Sequence, residues 1–277
     1  MHDRLIKKAG KNMIKAVMFD LDDTLLWDDR SVNEAFAETC EVAAESYSLD
    51  PKQLETEVKK IARELYASYE TYEFTKMIGI NPFEGFWGKF RDDTEEFRKL
   101  ASVVPTYRKD AWTKGLQALG IDDEELGAKL AELFPAIRRT KHYVYDDTYS
   151  TLEKLKKDYK LLLLTNGSPD LQNEKLSGVP ELPPYFDHIV ISGGFGKGKP
   201  DVSIFQHALD LLGVHHDEAI MVGDKLTTDI LGANRTGITS VWINRDHKQR
   251  DEHIIPDYEI QSLSELHAIL KEKQAGK

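Results

Sequence analysis

Five short apolar runs constrain this chain more than any other feature: Ile14–Leu21, Tyr159–Thr165, His188–Ser192, Glu218–Val222 and Thr239–Ile243. They are rich in leucine, β-branched and aromatic residues with few polar interruptions, the pattern of strands buried on both faces of a parallel sheet. None approaches the roughly 18 apolar residues of a membrane span, and the densest, Leu161–Leu164, is only strand length. Helical spacing fills the intervals from Thr148 onward, over Thr148–Lys157, Asp201–Leu212 (with Pro200 near its first turn), Thr227–Arg235 and Ser262–Lys271. Alternation of this kind predicts a parallel sheet covered by helices on both faces, and the isolated first strand belongs to the same sheet.

Between that first strand and the rest the character changes. From about Ser31 to Lys141 the segments Val32–Tyr47, Gln53–Tyr72, Glu95–Leu100 and Glu124–Phe134 show helical spacing, with Asp50-Pro51 and Asp122-Asp123 as helix starts. Strand signal is almost absent there. An all-helical module of roughly 110 residues is therefore expected as an insertion after strand one, with links to the sheet near Asp28–Ser31 and Lys141–Asp147. Residues 1–12 are polar and read as an extension. Lys plus Arg total 37 against 48 Asp plus Glu, a net charge of −11. That field repels nucleic-acid backbones and anionic lipid, so neither nucleic acid nor membrane is expected as a partner; a small anionic substrate stays open where a local cation or metal reverses the sign. Cys40 is the only cysteine, which excludes an intrachain disulfide and a Cys-rich zinc site. No apolar signal region accompanies Lys7 and Lys8, and a cytoplasmic protein is expected.

In an open parallel sheet, ligands bind beyond the C-terminal ends of the strands. Strand one ends in Asp20-Leu21-Asp22-Asp23-Thr24, the leucine strand in Thr165-Asn166-Gly167, and the third strand leads through glycines to Lys199. The fourth ends in Gly223-Asp224, with Asp229 five residues later. Converging carboxylates repel one another unless a cation sits among them, and oxygen ligands without His or Cys suit Mg²⁺, which keeps waters and pairs with phosphate. Thr165 and the amides of the Asn166-Gly167 turn offer donors to phosphate oxygens, and Lys199 adds a compact positive charge. Asp20 would be placed to attack phosphorus, and Asp22 to protonate a leaving alcohol and later deprotonate water.

Read together, FDLDDT (Phe19–Thr24), LLLTNG (Leu162–Gly167), the GKP turn (Gly198–Pro200) and VGDKLTTD (Val222–Asp229) resemble the four motifs of the haloacid dehalogenase superfamily, in the right order and over the whole chain apart from its N-terminal extension. The helical insertion is similar to the C1 cap of its subfamily I. The resemblance implies a Rossmann-like, mainly parallel α/β core of residues 13–26 and 145–277 with a helical cap of residues 27–144. It implies Asp20 as nucleophile and Asp22 as general acid/base, whose backbone carbonyl also faces the metal. It further implies Thr165 and Lys199 on the phosphoryl group, Asp224 as a metal ligand, Asp229 as a supporting carboxylate, and Thr24 steadying the loop that carries Asp22. The expected metal set is thus Asp20, Asp22 and Asp224 around Mg²⁺ or another divalent cation.

Each motif also has a plainer reading. Asp20-x-Asp22-x-Thr24 alone could be a helix N-cap. An EF-hand is excluded because Leu25 stands where the loop needs glycine. Gly193-x-x-x-x-Gly198-Lys199 matches most of a nucleotide P-loop, but Pro200 occupies the position of the metal-binding Ser or Thr, so the glycines are read as delivering Lys199. The histidines His215, His216, His247 and His253 lack ligand spacing. A phosphatase reading is favoured over 2-haloacid dehalogenation, because a halide leaving group needs no proton and Asp22 is present. A phosphomutase and a non-catalytic phosphate-binding protein stay open. The expected substrate is a small phosphorylated metabolite, with a lean to O-phosphoserine on resemblance and a nucleotide or sugar phosphate as the alternative. Its recognition would draw on Arg63, Arg91, Arg98 or Arg108 in the cap; a nucleotide would instead stack on Tyr69, Tyr72, Phe86 or Trp87.

Overall fold

The structure is a computed structural model that describes residues 13–275; the extension expected at 1–12 lies outside the described residues. The first strand, β1 (Ala16–Phe19), is buried along its full length. It is followed by helices α1 (Asp28–Ser46), α2 (Pro51–Ser68), α3 (Tyr72–Ile78), α4 (Pro82–Gly85), α5 (Glu95–Ala118) and α6 (Glu124–Arg138). The chain then alternates: α7 (Thr148–Leu155), β2 (Lys160–Thr165), α8 (Pro169–Ser177), β3 (His188–Ile191), the single turn α9 (Ser192–Phe195), α10 (Val202–Leu212) and β4 (Ala219–Gly223). A widened helical turn (Leu226–Ile230) opens α11 (Leu231–Thr236), and β5 (Thr239–Ile243), β6 (Tyr258–Ile260) and α12 (Leu266–Gln274) close the chain.

All five strand pairings are parallel, in the order β3-β2-β1-β4-β5-β6. Strand residues alternate between two apolar layers, as the two-residue period of a strand requires. Val17, Phe19, Leu161, Leu163, Ile220 and Val222 pack with α7, α8 and α12, while Ala16, Met18, Leu162, Leu164 and Met221 pack with α10 and α11. The chain leaves β1 for β2 on one side and later returns to β4 on the other, which makes the C-terminal end of β1 the switch point where an open sheet leaves a crevice.

The inserted helices build a third apolar cluster around Phe36, Phe86, Trp112 and Phe134, whose rings meet edge-on or tilted at 4.5–6.3 Å. Phe86 and Trp87 belong to this cluster, and Tyr69 and Tyr72 pack against it. The two chain crossings between sheet and insertion run side by side: Trp27 N–H donates to Tyr143 O at 2.9 Å and Tyr145 N–H to Leu25 O at 3.1 Å. Because α1 already begins at Asp28, the first crossing is Leu26–Trp27 rather than Asp28–Ser31.

The structure corrects several element boundaries. The helix expected over Gln53–Tyr72 stops at Ser68, where Tyr69 turns extended and sets its ring edge-on against Tyr107. The six residues expected at Glu95–Leu100 are the start of a 24-residue helix that runs through Pro105. Helices α3, α4, α8 and α9 and strand β6 lie outside the elements read from the sequence.

Candidate active site

The strand ends assemble around Lys199. Its ammonium, almost wholly buried, donates to Asp20 Oδ1 at 2.6 Å and to Leu164 O at 2.7 Å, and pairs with Asp229 Oδ1 at 2.7 Å. Asp20 extends β1 by donating its N–H to Val222 O, so the sheet ladder itself fixes the carboxylate. Asp229 reaches the cluster from the widened turn after β4, where its other oxygen accepts Lys225 N–H at 3.0 Å. Gly223 makes room for it, because a Cβ there would lie 2.3 Å from Asp229 Cγ. Carboxylate oxygens of Asp20, Asp224 and Asp229 lie within 4.8 Å of one another.

Charge in this cluster is unbalanced. Burial raises the Asp20 carboxyl above its ordinary range, and Lys199 only partly offsets it. The Asp224 carboxyl is pushed up to about 8 by burial and then by Asp20 and Asp229. Burial pulls the Lys199 ammonium down, but Asp20 and Asp229 more than reverse that. Three converging carboxylates with one fully engaged lysine are a donor set that fits a hard divalent cation.

The Asp22 carboxylate is not part of that cluster. Its Oδ2 accepts from Lys175 Nζ at 2.8 Å and from Gln172 Nε2 at 3.1 Å, both on α8, while Oδ1 is buried with no hydrogen-bond partner among the described residues. The loop carrying it turns through Asp23 at φ 58° and is closed by Leu25 and Leu26 N–H on Leu21 O. Thr24 is fully buried, but its hydroxyl has no partner among the described residues; its carbonyl accepts from Arg245 at 3.2 Å.

Thr165 Oγ1 accepts from Gln172 Nε2 at 2.7 Å. Asn166 clamps the lysine loop, accepting Lys199 N–H at 2.8 Å and donating to Lys199 O at 3.0 Å. Gly167, expected on phosphate, does not line the cavity: its N–H is shared between Ser192 Oγ at 2.8 Å and Ile78 O at 3.2 Å.

These groups border a cavity of about 210 Å³. The insertion supplies the opposite wall with Asp28, Asp29, Val32, Gly79, Asn81, Phe83 and Glu84. Gly79, at φ +80°, passes so close to Asn166 that a Cβ would meet it at 2.5 Å. None of the four arginines considered for the substrate lines the cavity. Arg63 sits over the Phe83 ring, Arg91 pairs with Asp170, Arg98 with Asp93, and Arg108 is drawn to the carbonyls of Gly85 and Gly88. Tyr69, Tyr72, Phe86 and Trp87 are also absent from the lining, since packing inside the helical insertion claims them; Phe83 is the aromatic that reaches it. The cations on the lining are Lys199 and Lys225, both from the sheet side.

Lys175, Gln172, Glu84 and Asn81 were missed by motif reading. A signal existed for the first two: Ser168-Pro169 is a helix start, with Ser168 Oγ accepting Leu171 N–H, and it puts residues 172 and 175 on one face.

The fold and this cluster define a hydrolase of the haloacid dehalogenase type. A family model for haloacid dehalogenase-like hydrolases matches residues 14–237. A phosphoserine phosphatase of Thermus thermophilus is 33% identical over 91% of this chain and 98% of its own. The N-acylneuraminate-9-phosphatase of mouse is 29% identical over 95% and 96%. Among solved structures, the HAD-hydrolase YfnB of Bacillus subtilis, bound to magnesium, superposes with a TM-score of 0.66 at 24% identity, covering 94% of this chain and 99% of that one. The chain belongs to the haloacid dehalogenase-like hydrolases, and within them to the phosphatases.

Proposed function

We propose that this protein is a Mg²⁺-dependent phosphomonoesterase that acts on a small phosphorylated metabolite through an aspartyl-phosphate formed on Asp20. The observation that carries the reading is the convergence of Asp20, Lys199, Asp224 and Asp229 at one sheet edge with Asp22 beside them, one of its oxygens left unpartnered. Asp20 and Asp224, with Asp229 where the sequence reading placed Asp22, would hold the magnesium ion, which supplies positive charge against the phosphoryl oxygens. Thr165 takes a further phosphoryl oxygen, and Lys199 takes another in exchange for one of its carboxylate contacts. An Asp20 oxygen forms a bond to phosphorus while the ester P–O bond breaks, and Asp22 delivers its proton to the departing alkoxide. In the second half Asp22 takes a proton from water as that water displaces Asp20 from phosphorus, which releases phosphate and restores the carboxylate. A halide would need no such proton, so the half-buried, anchored Asp22 supports phosphate ester chemistry over dehalogenation.

The cavity is smaller than the roughly 300 Å³ at which pockets for drug-sized ligands begin, which supports a compact substrate. O-phosphoserine is the first to try. The Thermus relative carries that name, and the acidic wall of Asp23 and Asp29 suits an ammonium group, with Lys225 as the cation open to a carboxylate. The expected result is phosphate release from p-nitrophenyl phosphate that requires Mg²⁺, stops with EDTA and falls to background in Asp20→Asn. Turnover retained in Asp20→Asn overturns the nucleophile. A metabolite screen in which a nucleotide monophosphate exceeds phosphoserine 100-fold in kcat/KM overturns the substrate.

A further inference from the structure

Lys175 is as buried as Lys199, with 2% of its side chain exposed, yet it lies outside the phosphate site. It sits between three carboxylates from three parts of the chain: Asp22 Oδ2 at 2.8 Å in the loop after β1, Glu84 Oε1 at 3.0 Å in α4, and Asp28 Oδ1 at 3.8 Å at the start of α1. Asp28 is paired in addition with Arg138 at the end of α6. Glu84 uses its other oxygen to accept Asn81 N–H at 3.0 Å, closing a reciprocal cap on α4. Asn81 and Phe83, either side of Pro82, form the wall of the cavity that faces the strand ends. A continuous set of contacts therefore runs from the substrate wall, through Glu84 and Lys175, to the carboxylate beside the nucleophile.

We infer that Lys175 is a positioning residue that, with Glu84, couples the helical wall over the substrate to the aim of Asp22. The inference rests on the reading of Asp22 as the acid/base given above. A carboxylate rotates freely about its Cβ–Cγ bond unless something fixes it. Here Lys175 and Gln172 both take Oδ2, which leaves Oδ1 as the oxygen free to exchange a proton with the leaving group. Glu84 meets Lys175 only while α4 lies against the sheet edge, so a displaced wall would leave the lysine with one tether fewer and Asp22 less well aimed. An apolar cluster could glue the two parts together at lower desolvation cost, whereas a buried ionic contact of fixed geometry specifies one arrangement.

The test compares two probes of similar size, p-nitrophenyl phosphate, whose leaving group needs little protonation, and phenyl phosphate, whose leaving group needs more. In Asp22→Asn, kcat for phenyl phosphate is expected to fall about 100-fold more than for p-nitrophenyl phosphate, within the usual range for a general acid. Lys175→Met should show the same bias at about tenfold or more, and Lys175→Arg should recover part of it. Because Lys175→Met leaves carboxylates facing one another, Glu84→Gln serves as the second variant; it keeps the lysine and should show the bias at about threefold, with KM for p-nitrophenyl phosphate near that of the parent. A purely structural role would lower kcat equally for both probes. Equal losses in Lys175→Met and in Glu84→Gln, alongside a biased loss in Asp22→Asn, overturn this inference and leave the phosphatase reading standing. An unbiased loss in Asp22→Asn overturns the acid/base assignment, and this inference with it.

Discussion

Asp147 shows how one carboxylate outside the chemistry can hold the frame on which the chemistry depends. It accepts Arg245 in a fork at 2.8 and 3.1 Å, Ser262 Oγ at 2.8 Å and Leu263 N–H at 2.8 Å, tying the second crossing to the chain after β5 and the lead into α12. Against the cost of burial, Arg245 and Ser262 hold its carboxyl below the usual range. Such a group stabilises the fold fully above its unfolded pKa, near 4, and the contribution fades as pH falls through the lower folded value. Asp147→Asn should therefore cost about 2 kcal/mol at pH 7, with the gap to the parent narrowing below about pH 4. Urea unfolding at both pH values decides it, and a gap independent of pH would show that charge is not the cause. At this scale the sequence was legible where residues belong to short motifs: Asp20 and Asp224 directly follow readable strands, and Lys199 and Asp229 lie in the segments that lead on from them. Lys175 was not, because its partners Asp22 and Glu84 lie 153 and 91 positions away and only the folded chain brings them together.

Helix α5 carries Pro105 in its interior, where the ring removes a donor and crowds the preceding turn. The residue is exposed, so little packing would be lost on replacing it. Pro105→Ala should stabilise the protein by about 1–3 kcal/mol, read as a rise of several degrees in Tm; an unchanged or lower Tm would mean the proline serves a contact or a bend. The same residue explains why only the first quarter of α5 was foreseen, since proline is the strongest local argument against a helix and tertiary packing of Leu100, Val104, Tyr107 and Trp112 outweighs it. The strands were readable from their apolar runs because burial on both faces leaves no ambiguity of period. Strand β6 escaped because three residues, two of them half-buried, give no period at all. Helix α8 escaped because it is weakly amphipathic: it turns Gln172 and Lys175 inward along with Leu171 and Leu176, so its buried face reads as polar.

At the scale of the whole molecule, the two crossings are bracketed by a stack that spans both parts. Trp27 lies on Tyr145 at 5.2 Å, Arg30 covers Trp27 at 5.1 Å and Arg245 covers Tyr145 at 3.8 Å. Trp27 is 40% exposed, whereas Trp87, Trp112 and Trp242 are fully buried. If the helical part turns about this stack when substrate binds, the emission difference between the parent and Trp27→Phe should change on adding Mg²⁺ with phosphate; a constant difference counts against the turn. No helix among the described residues is long and apolar enough to cross a membrane. The placement of the insertion has a further consequence, for biosynthesis. Strand β1 is completed at Phe19, but the neighbours on which it lies, β2 and β4, begin at Lys160 and Ala219. At ordinary translation rates the first strand leaves the ribosome roughly 7–30 s before a partner strand exists. During that interval the inserted helices, whose apolar cluster lies almost wholly within the insertion, are synthesised in full, while Val17, Met18 and Phe19 wait without a partner strand. The strand that leads into Asp20 is thus the first part of the sheet to be made and among the last to be buried, and slowing synthesis would lengthen the time in which a nascent chain needs protection from aggregation.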